Sequence, residues 1–270
     1  MLSEIRRGVV YFVGAGPGDP ELITVKGLRL LQEAELVLYA GSLVNPELLK
    51  NVRDGVPCHD TARLTLEETV ALIREGAAAG KVVVRLHTGD PALYGAVQEQ
   101  FDLLEAEGIP YEIVPGVSSF LAAAALLGRE LTVPGGTQTV ILTRQGGRTP
   151  VPAAESLREL ARHGSTLCLF LSAGLLQEAV KDLLVHLSPD TPAAIVERAS
   201  WPGERVIRTN LGRLAAEAEA AGITKTALVF IGDFLAARGK RSLLYDPRFT
   251  HGFRTRREGR APDGAVEEQS

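Results

Sequence analysis

The chain has few of the residues that cross-link small secreted domains or bind metals. Its 270 residues include two cysteines, Cys58 and Cys168, and five histidines. Apart from the adjacent pair Cys58 and His59, no cysteine or histidine stands at the spacing of metal ligands. We therefore interpret both thiols as structural and predict no metal site.

Long apolar runs and an excess of positive charge are also missing. The longest apolar run, residues 117–127, contains two serines, is mostly alanine, and is shorter than the ~20 residues that span a bilayer. The net charge is −4, so attraction of the whole molecule to nucleic acid or to an anionic membrane is not expected. No signal peptide is recognisable, and we expect a cytoplasmic protein without nucleic-acid or membrane partners.

Strand-like and helix-like segments alternate along most of the chain. Predicted strands cover residues 9–13, 36–39, 82–86, 112–114, 139–143, 166–172, 193–198, 205–209 and 227–231. Predicted helices cover residues 24–34, 64–79, 96–107, 118–127, 153–163, 174–187 and 211–221. This alternation indicates an α/β protein, with a mostly parallel sheet in its first half.

The elements fall into two predicted α/β domains. A Pro- and Gly-rich break at residues 133–136 separates an amino-terminal domain, residues 1–134, from a carboxy-terminal domain, residues 135–237. The second sheet is expected to be mixed, because residues 201–204 have the composition of a hairpin turn between two short strands. Residues 238–270 carry basic residues and then an acidic end. We interpret them as a partly disordered extension, with a nucleic-acid-binding arm as the alternative.

A glycine- and proline-rich loop, residues 14–20, lies between the first predicted strand and helix. This order is typical of dinucleotide-binding units, in which backbone N–H groups hold a pyrophosphate. Here Asp19 replaces the third glycine, and its carboxylate would repel a phosphate, while Pro17 and Pro20 have no N–H to donate. The second predicted strand also lacks the acid that binds a ribose. The loop therefore predicts a special backbone path and not a phosphate site.

Two later turns contain polar groups suited to a small ligand. Gly89 lets a ligand approach the main chain, and Asp90 can accept a hydrogen bond from a ligand or cap a helix. Ser118 and Ser119 provide hydroxyls for a ligand without phosphate, or an N-cap. No nucleophile elbow, HExxH, P-loop or paired-carboxylate motif is present. Because both turns follow strands, we expect a cleft at the strand ends, between the domains.

Three motifs taken together resemble those of the tetrapyrrole methyltransferases: Gly14-Ala15-Gly16-Pro17-Gly18-Asp19, Thr88-Gly89-Asp90-Pro91 and Val114-Pro115-Gly116-Val117-Ser118. The resemblance covers about residues 9–234. Within the family it points to the C11-methylating subgroup, whose acceptor is precorrin-4 or cobalt-precorrin-4, because Thr88 stands where many relatives have glycine. Two positions depart from the family pattern: Leu93, where methionine is frequent, and Ser118–Ser119, where the motif begins with threonine.

The resemblance implies a fold of two α/β domains with S-adenosylmethionine folded in the cleft between them and S-adenosylhomocysteine as the product. By motif matching, the cofactor is expected to contact Pro17, Thr88, Gly89, Asp90, Leu93, Ser118, Ser119, Leu171, Ala199 and Ala227, mostly through main chain. The loop at residues 14–19 is expected beside the tetrapyrrole. The family also implies a homodimer.

The acceptor of such an enzyme carries many carboxylates, which arginines pair with well. We therefore consider Arg85, Arg144 and Arg148, near cleft-facing turns, as substrate-binding residues, with a surface or sheet-edge role as the alternative for each. Weaker candidates for the acceptor pocket are Tyr39, Ser42 and His87. No catalytic residue is assigned, because a sulfonium leaving group needs no protonation.

Three other functions remain open from the sequence. A nicotinamide dehydrogenase is opposed by Asp19 and by the missing ribose acid. A relative acting on another acceptor would have a similar cofactor site, whether it methylates uroporphyrinogen III at C2 and C7, a precorrin at C20 or C17, or a protein or RNA. A non-catalytic tetrapyrrole-binding protein would keep the cleft without turnover.

Overall fold

In the computed structural model, which describes residues 4–236, 242–246, 249–250 and 252–254, the chain forms two five-stranded sheets, one in each half. The strands of the first sheet are β1 (Val10–Gly14), β2 (Leu36–Tyr39), β3 (Cys58–Asp60), β4 (Val83–His87) and β5 (Tyr111–Val114). The helices of this half are α1 (Val25–Glu33), α2 (Leu66–Ala78), α3 (Gln98–Ala106) and α4 (Ser119–Leu127).

The first sheet has the strand order β3-β2-β4-β1-β5, and its strands are parallel. All five residues of β1 are buried because helices cover both faces, as is usual for parallel sheets. On one face Tyr11 and Val13 pack in a cluster with Leu30 of α1. On the other face Phe12 packs with Phe101 of α3, with ring centroids 4.8 Å apart.

The second sheet is mixed, as the sequence predicted. Its strands are β6 (Val140–Arg144), β7 (Thr166–Phe170), β8 (Pro192–Glu197), β9 (Arg205–Asn210) and β10 (Ala227–Ile231), and its helices are α5 (Leu157–Leu160), α6 (Leu176–Leu183) and α7 (Leu214–Ala220). The strand order is β6-β7-β10-β8-β9, with β6 and β7 parallel and the other neighbours antiparallel. The hairpin of β8 and β9 is joined by residues 198–204.

Helix α4 belongs to the first half in sequence but packs on the second sheet. Ala122, Ala123 and Leu127 lie in one buried cluster with Phe230 of β10 and Cys168 of β7. Small alanine side chains let the helix approach the sheet closely. The two halves therefore share part of one core, which limits the freedom of the cleft between them.

Several local predictions were wrong. The helix predicted over residues 153–163 is only the short α5 between two 3₁₀ turns, because Ser156 caps α5 and ends the preceding turn. The helix predicted over 174–187 begins as a 3₁₀ turn and its α-helical part ends at Leu183. Strand β3 was not predicted, and it places the partly buried His59 on a sheet edge.

Other expectations concern the thiols and the end of the chain. Cys168 is buried in β7, whereas Cys58 is exposed. The predicted disordered extension lies largely outside the described residues; within them, Leu243–Tyr245 form one 3₁₀ turn. Among the helices that the structure describes, none combines the length and apolar character needed to cross a membrane.

Candidate functional site

A cleft of about 340 Å³ lies between the two halves, at the carboxyl ends of the first sheet. It is within the size range of small-molecule sites. Its walls include all ten residues predicted to bind the cofactor: Pro17, Thr88, Gly89, Asp90, Leu93, Ser118, Ser119, Leu171, Ala199 and Ala227. The first half supplies the turns after β1, β4 and β5, and the second half supplies the ends of β7, β8 and β10.

Glycines from three neighbouring turns pack together at the base of this cleft. Gly16 and Gly89 form an isolated antiparallel bridge, and Gly89 has a left-handed φ of 62°. A Cβ added to Gly116 would lie 2.1 Å from the carbonyl oxygen of Gly89 and 2.7 Å from Cα of Gly14. Side chains are therefore excluded at these positions, and backbone is brought to the cleft.

Asp90 connects two of these turns. Its Oδ1 accepts a hydrogen bond from the amide of Ala92 at 2.8 Å, and its Oδ2 accepts one from the amide of Gly116 at 2.9 Å. Both carboxylate oxygens thus have backbone partners. The geometry favours a role in fixing the turns, and a direct contact with the cofactor stays a prediction.

Ser118 occupies the N-cap of α4 without acting as a cap. Its side chain is buried but makes no capping hydrogen bond to the helix. The side chain of Ser118 therefore does not have the N-cap role that the sequence offered as the alternative to ligand binding. A hydroxyl that lines a cleft in this way is suited to a polar ligand.

Four non-glycine residues in the cleft wall have left-handed backbone. They are Tyr94, Leu171, Arg198 and Thr226, with φ between 51° and 55°. Such conformations cost about 1–3 kcal/mol each and cluster at functional sites. Leu171 is also 70% exposed, which is unusual for a large apolar side chain. Three of these four residues, all except Tyr94, belong to the second half, whose wall thus brings strained backbone and apolar surface to the cleft.

The turn between β8 and β9 contacts the loop after β1. We call residues 14–19 the cleft loop. The indole Nε1 of Trp201 donates to the carbonyl of Pro17 at 2.9 Å, and Oγ of Ser200 accepts from the amide of Asp19 at 3.0 Å. From the other side, Nδ2 of Asn45 donates to the carbonyl of Gly18 at 2.7 Å. The sequence indicated only a hairpin turn here, because these contacts join residues far apart in the chain.

Of the six predicted substrate-binding residues, Ser42 lines the cleft. Tyr39 is half-buried at the end of β2, and burial raises its pKa. Arg85 and His87 are buried on β4 and do not line the cleft, so their expected placement is corrected. Their side chains follow the strand alternation onto the face covered by α3, where the His87 ring stacks on Phe12 at 5.8 Å.

Burial controls the charges of these two side chains. It lowers the pKa of Arg85 to about 10, and burial together with the charge of Arg85 lowers the pKa of His87 to about 3. In the described structure, Nε and Nη1 of Arg85 and Nε2 of His87 are buried without hydrogen-bond partners. His87 is thus a neutral imidazole beside a guanidinium with unused donors.

Arg144 and Arg148 also lie outside the cleft wall. The guanidinium of Arg144 donates to the carbonyls of Thr149 and Pro150, both at 2.9 Å, and so holds the loop that follows β6. Arg144 is close enough to the cleft to act on Tyr94, whose pKa is raised by burial and partly restored by the arginine. Arg148 is exposed on the same loop.

Sequence reasoning did not assign several further side chains of the cleft wall, which come from both halves of the chain. The additional cleft residues include Leu43, Tyr94, Phe170, Arg198, Trp201, Lys225 and Thr226. The guanidinium of Arg198 lies 5.6 Å from the centre of the Trp201 ring. The signal for Arg198 was its position directly after a buried strand, at the edge where ligands bind.

A second, open depression of about 600 Å³ lies near the amino-terminal ends of β2 and β4. It is lined by Arg7, Glu35 and Val82 among others. Glu35 is already engaged there, accepting from the amide of Val82 and pairing with Arg7. None of the predicted site residues lies in it. The described residues contain no group of three potential His, Cys, Asp or Glu ligands that could hold a metal.

Comparison with known proteins identifies the family of the chain. The family model of the tetrapyrrole (corrin/porphyrin) methylases matches residues 9–215. The cobalt-precorrin-4 C(11)-methyltransferase of Priestia megaterium is 50% identical over 250 residues, which cover 91% of this chain and 97% of that protein. The precorrin-4 C(11)-methyltransferase of Pseudomonas aeruginosa is 48% identical over 246 residues, covering 91% and 98%.

Solved structures show the same similarity. A cobalt precorrin-4 methyltransferase, described as a cobalamin biosynthetic enzyme, superposes with a TM-score of 0.83 at 48% identity, covering 87% of this chain and 99% of that one. A uroporphyrin-III C-methyl transferase from Thermus thermophilus, complexed with S-adenosyl homocysteine, gives a TM-score of 0.71 at 34% identity, covering 84% and 92%.

Proposed function

We propose, starting from the fact that the chain belongs to the tetrapyrrole (corrin/porphyrin) methylases, that it transfers a methyl group from S-adenosylmethionine to C11 of precorrin-4 or cobalt-precorrin-4. The product is then precorrin-5 or its cobalt form, in cobalamin biosynthesis. The single observation that carries this proposal is the convergence of all ten predicted cofactor residues on one cleft. The names of the similar proteins support the acceptor and the position of methylation.

The size and the lining of the cleft support S-adenosylmethionine as the cofactor. S-Adenosylmethionine has no phosphate, and the cleft loop has neither the donors nor the charge for one, since it contains Pro17 and Asp19. The wall offers neutral hydroxyls, such as those of Thr88, Ser118 and Ser119, while Leu93, Leu171 and Ala227 supply apolar surface. A neighbour in the same fold is described with bound S-adenosyl homocysteine, which supports this assignment.

When bound, the cofactor supplies an electrophilic methyl group on a sulfonium. The thioether left after transfer would need no proton, and the proton lost by the methylated acceptor would pass to the macrocycle or to solvent. The residues of the cleft therefore have to bind and orient the two molecules. Orientation of this kind contributes about 7–11 kcal/mol to lowering a barrier.

The substrate carboxylates need cationic partners, and the chain provides them around the cleft. Arg148 is exposed on the loop after β6, and Arg144 lies near Tyr94 of the cleft wall. Arg198 and Lys225 lie in the wall itself and extend the set proposed from sequence. We assign Arg148 and Arg144 to substrate carboxylates, and Tyr39 and Ser42 to the acceptor side of the cleft.

Arg85 and His87 require a different argument, because they are buried behind the wall. A buried guanidinium without acceptors is costly, and a carboxylate or a water would satisfy it. Because the side chain of Arg85 does not line the cleft, we no longer assign it to a substrate carboxylate. His87 is neutral and lies on the same face, stacked on Phe12, so we no longer assign it to the acceptor pocket.

We further propose that the enzyme acts as a homodimer, as the family resemblance implies, and that it is cytoplasmic, as its sequence led us to expect. We keep the division into domains at residues 1–134 and 135–237. The packing of α4 on the second sheet means that these domains share core residues.

The test is methylation of defined acceptors. The protein is incubated with S-adenosylmethionine and with precorrin-4, cobalt-precorrin-4 or uroporphyrinogen III, and the product is analysed by mass spectrometry and by NMR of a labelled methyl group. A single added methyl at C11 is expected with a precorrin-4 acceptor. Methylation only of uroporphyrinogen III, or at another carbon, would overturn the proposed acceptor. Binding of tetrapyrrole without release of labelled methyl would indicate a carrier.

A further inference from the structure

Trp201 reaches the cofactor turn through a short series of backbone contacts. Its indole N–H donates to the carbonyl of Pro17. The next residue back in the chain, Gly16, forms the bridge to Gly89, with the amide of Gly89 donating to the carbonyl of Gly16 at 2.7 Å. Gly89 lies between Thr88 and Asp90 in the cleft wall. The indole is thus linked to the predicted cofactor turn through the Pro17 carbonyl, the peptide that joins Gly16 to Pro17, and the Gly16–Gly89 bridge.

The ring of Trp201 also fixes the cleft loop by contact. A Cβ added to Gly18 would lie 2.2 Å from Cδ1 and 2.3 Å from Nε1 of the indole, so the ring packs directly on glycine backbone. Ser200 adds a hydrogen bond to Asp19, and its own left-handed backbone, with φ of 65°, sets it in place. The second half of the chain therefore helps to fix this first-half loop, together with Asn45.

We infer that Trp201 is a positioning residue for the cofactor, which holds the Thr88–Asp90 turn by fixing the cleft loop that is bridged to it. This inference rests on the proposed function for the identity of the cofactor. It assigns a role to the hairpin turn between β8 and β9 that its sequence alone does not indicate. The indole acts from the opposite half of the cleft.

The experiment measures the Kd of S-adenosylhomocysteine by calorimetry for the full-length protein and five variants. Trp201→Ala is expected to raise Kd about tenfold, and Trp201→Phe about threefold, because phenylalanine keeps a ring but has no N–H. Gly18→Ala keeps Trp201 but displaces its ring. Ser200→Ala removes the hydroxyl that accepts from the amide of Asp19. Both variants are expected to raise Kd several-fold. Val206→Ala, an exposed position on β9 of the same hairpin, is the matched control and is expected to bind as the wild type.

The fluorescence of Trp201 gives an independent readout, because it is the only tryptophan of the chain. S-Adenosylhomocysteine is expected to change the emission of the wild type, and Gly18→Ala to shift the emission of the free protein. Wild-type Kd values in folded Gly18→Ala and Ser200→Ala would overturn the inference, whatever Trp201→Ala does. Absence of binding to the wild type would overturn the proposed function and the inference together, whereas equal binding by all variants would overturn the inference alone.

Discussion

Gly16 and Gly89 exchange two backbone hydrogen bonds, 2.7 Å from the amide of Gly89 and 3.3 Å from the amide of Gly16. This bridge joins the cleft loop to the turn after β4. The bridge explains why the loop has the glycines of a phosphate site but not its donors or charge. Glycine lets the backbone of the cleft loop approach the backbone of the turn after β4. The bridge makes the cleft depend on backbone positions that a single added methyl group would disturb.

Gly116→Ala should damage both stability and cofactor binding. Its Cβ would lie 2.1 Å from the carbonyl oxygen of Gly89, so we expect a loss of about 1–3 kcal/mol in unfolding free energy, typical of overpacking. Urea unfolding and calorimetry with S-adenosylhomocysteine measure the two effects. The control is Gly136→Ala, an exposed glycine whose added Cβ would meet no atom closer than 3.5 Å. Equal stability of the two variants would contradict the packing argument.

Asp90→Ala should weaken cofactor binding more than it destabilises the fold. The change removes the acceptor of the Ala92 and Gly116 amides. We expect Kd to rise about 100-fold, against a loss of about 1–2 kcal/mol in unfolding free energy. Asp90→Asn keeps one oxygen as an acceptor, so its Kd should lie between those of the wild type and Asp90→Ala. Calorimetry that gives wild-type affinity for Asp90→Ala would refute this role.

Charge reversal at Arg148 should raise the KM for the tetrapyrrole by about tenfold and leave cofactor affinity intact, because a lost ion pair at a partly screened site is worth about 1 kcal/mol or slightly more. Arg144→Glu should do the same but also loosen the loop after β6, whose carbonyls Arg144 binds. Steady-state kinetics and cofactor calorimetry separate the two effects. Unchanged kinetics in both variants would remove these arginines from the site.

His87 should make the fold less stable as the pH falls. Its pKa is lowered from 6.5 to about 3 in the folded protein, so between these values the unfolded chain binds a proton that the folded chain does not. Stability is fully present above pH 6.5 and decreases toward pH 3, with a slope that approaches about 1.4 kcal/mol per pH unit from this residue.

His87→Gln cannot take up that proton. Urea unfolding at pH 7, 6, 5 and 4 should therefore show a steeper loss for the wild type than for the variant, which controls for the carboxylates that titrate in both. Parallel curves for the two proteins would show that His87 is protonated in the folded state. Neither result depends on the activity of the enzyme.

The fold was predictable where local pattern and burial agree. Val10–Gly14 and Leu36–Tyr39 are apolar runs bounded by turn residues, and both form buried parallel strands. Cys58–Asp60 was missed because it is three residues long, polar, and becomes a strand only by pairing with β2 at the sheet edge. The helix at residues 153–163 failed because Ser156 interrupts it with its own capping bond, which outweighs the helical periodicity.

The site divides in the same way. Residues in turns after strands, such as Gly89 and Ser118, could be located from sequence because strand ends meet at one edge of a sheet. The side-chain direction of Arg85 could not, because it depends on which face of β4 is covered by α3. The contact of Trp201 with Pro17 joins opposite halves of the chain and has no local signal.

The shared packing of Gly14, Gly89 and Gly116 has a thermodynamic consequence for ligand binding. Three turns that bear the cofactor-facing backbone are held by contacts with one another, so their conformational entropy is lost when the chain folds and not when a ligand arrives. Association at such a preorganised surface then has little ordering to oppose it. Hydrogen exchange of the amides of Gly16, Gly89 and Gly116 should accordingly be slow before any ligand is added.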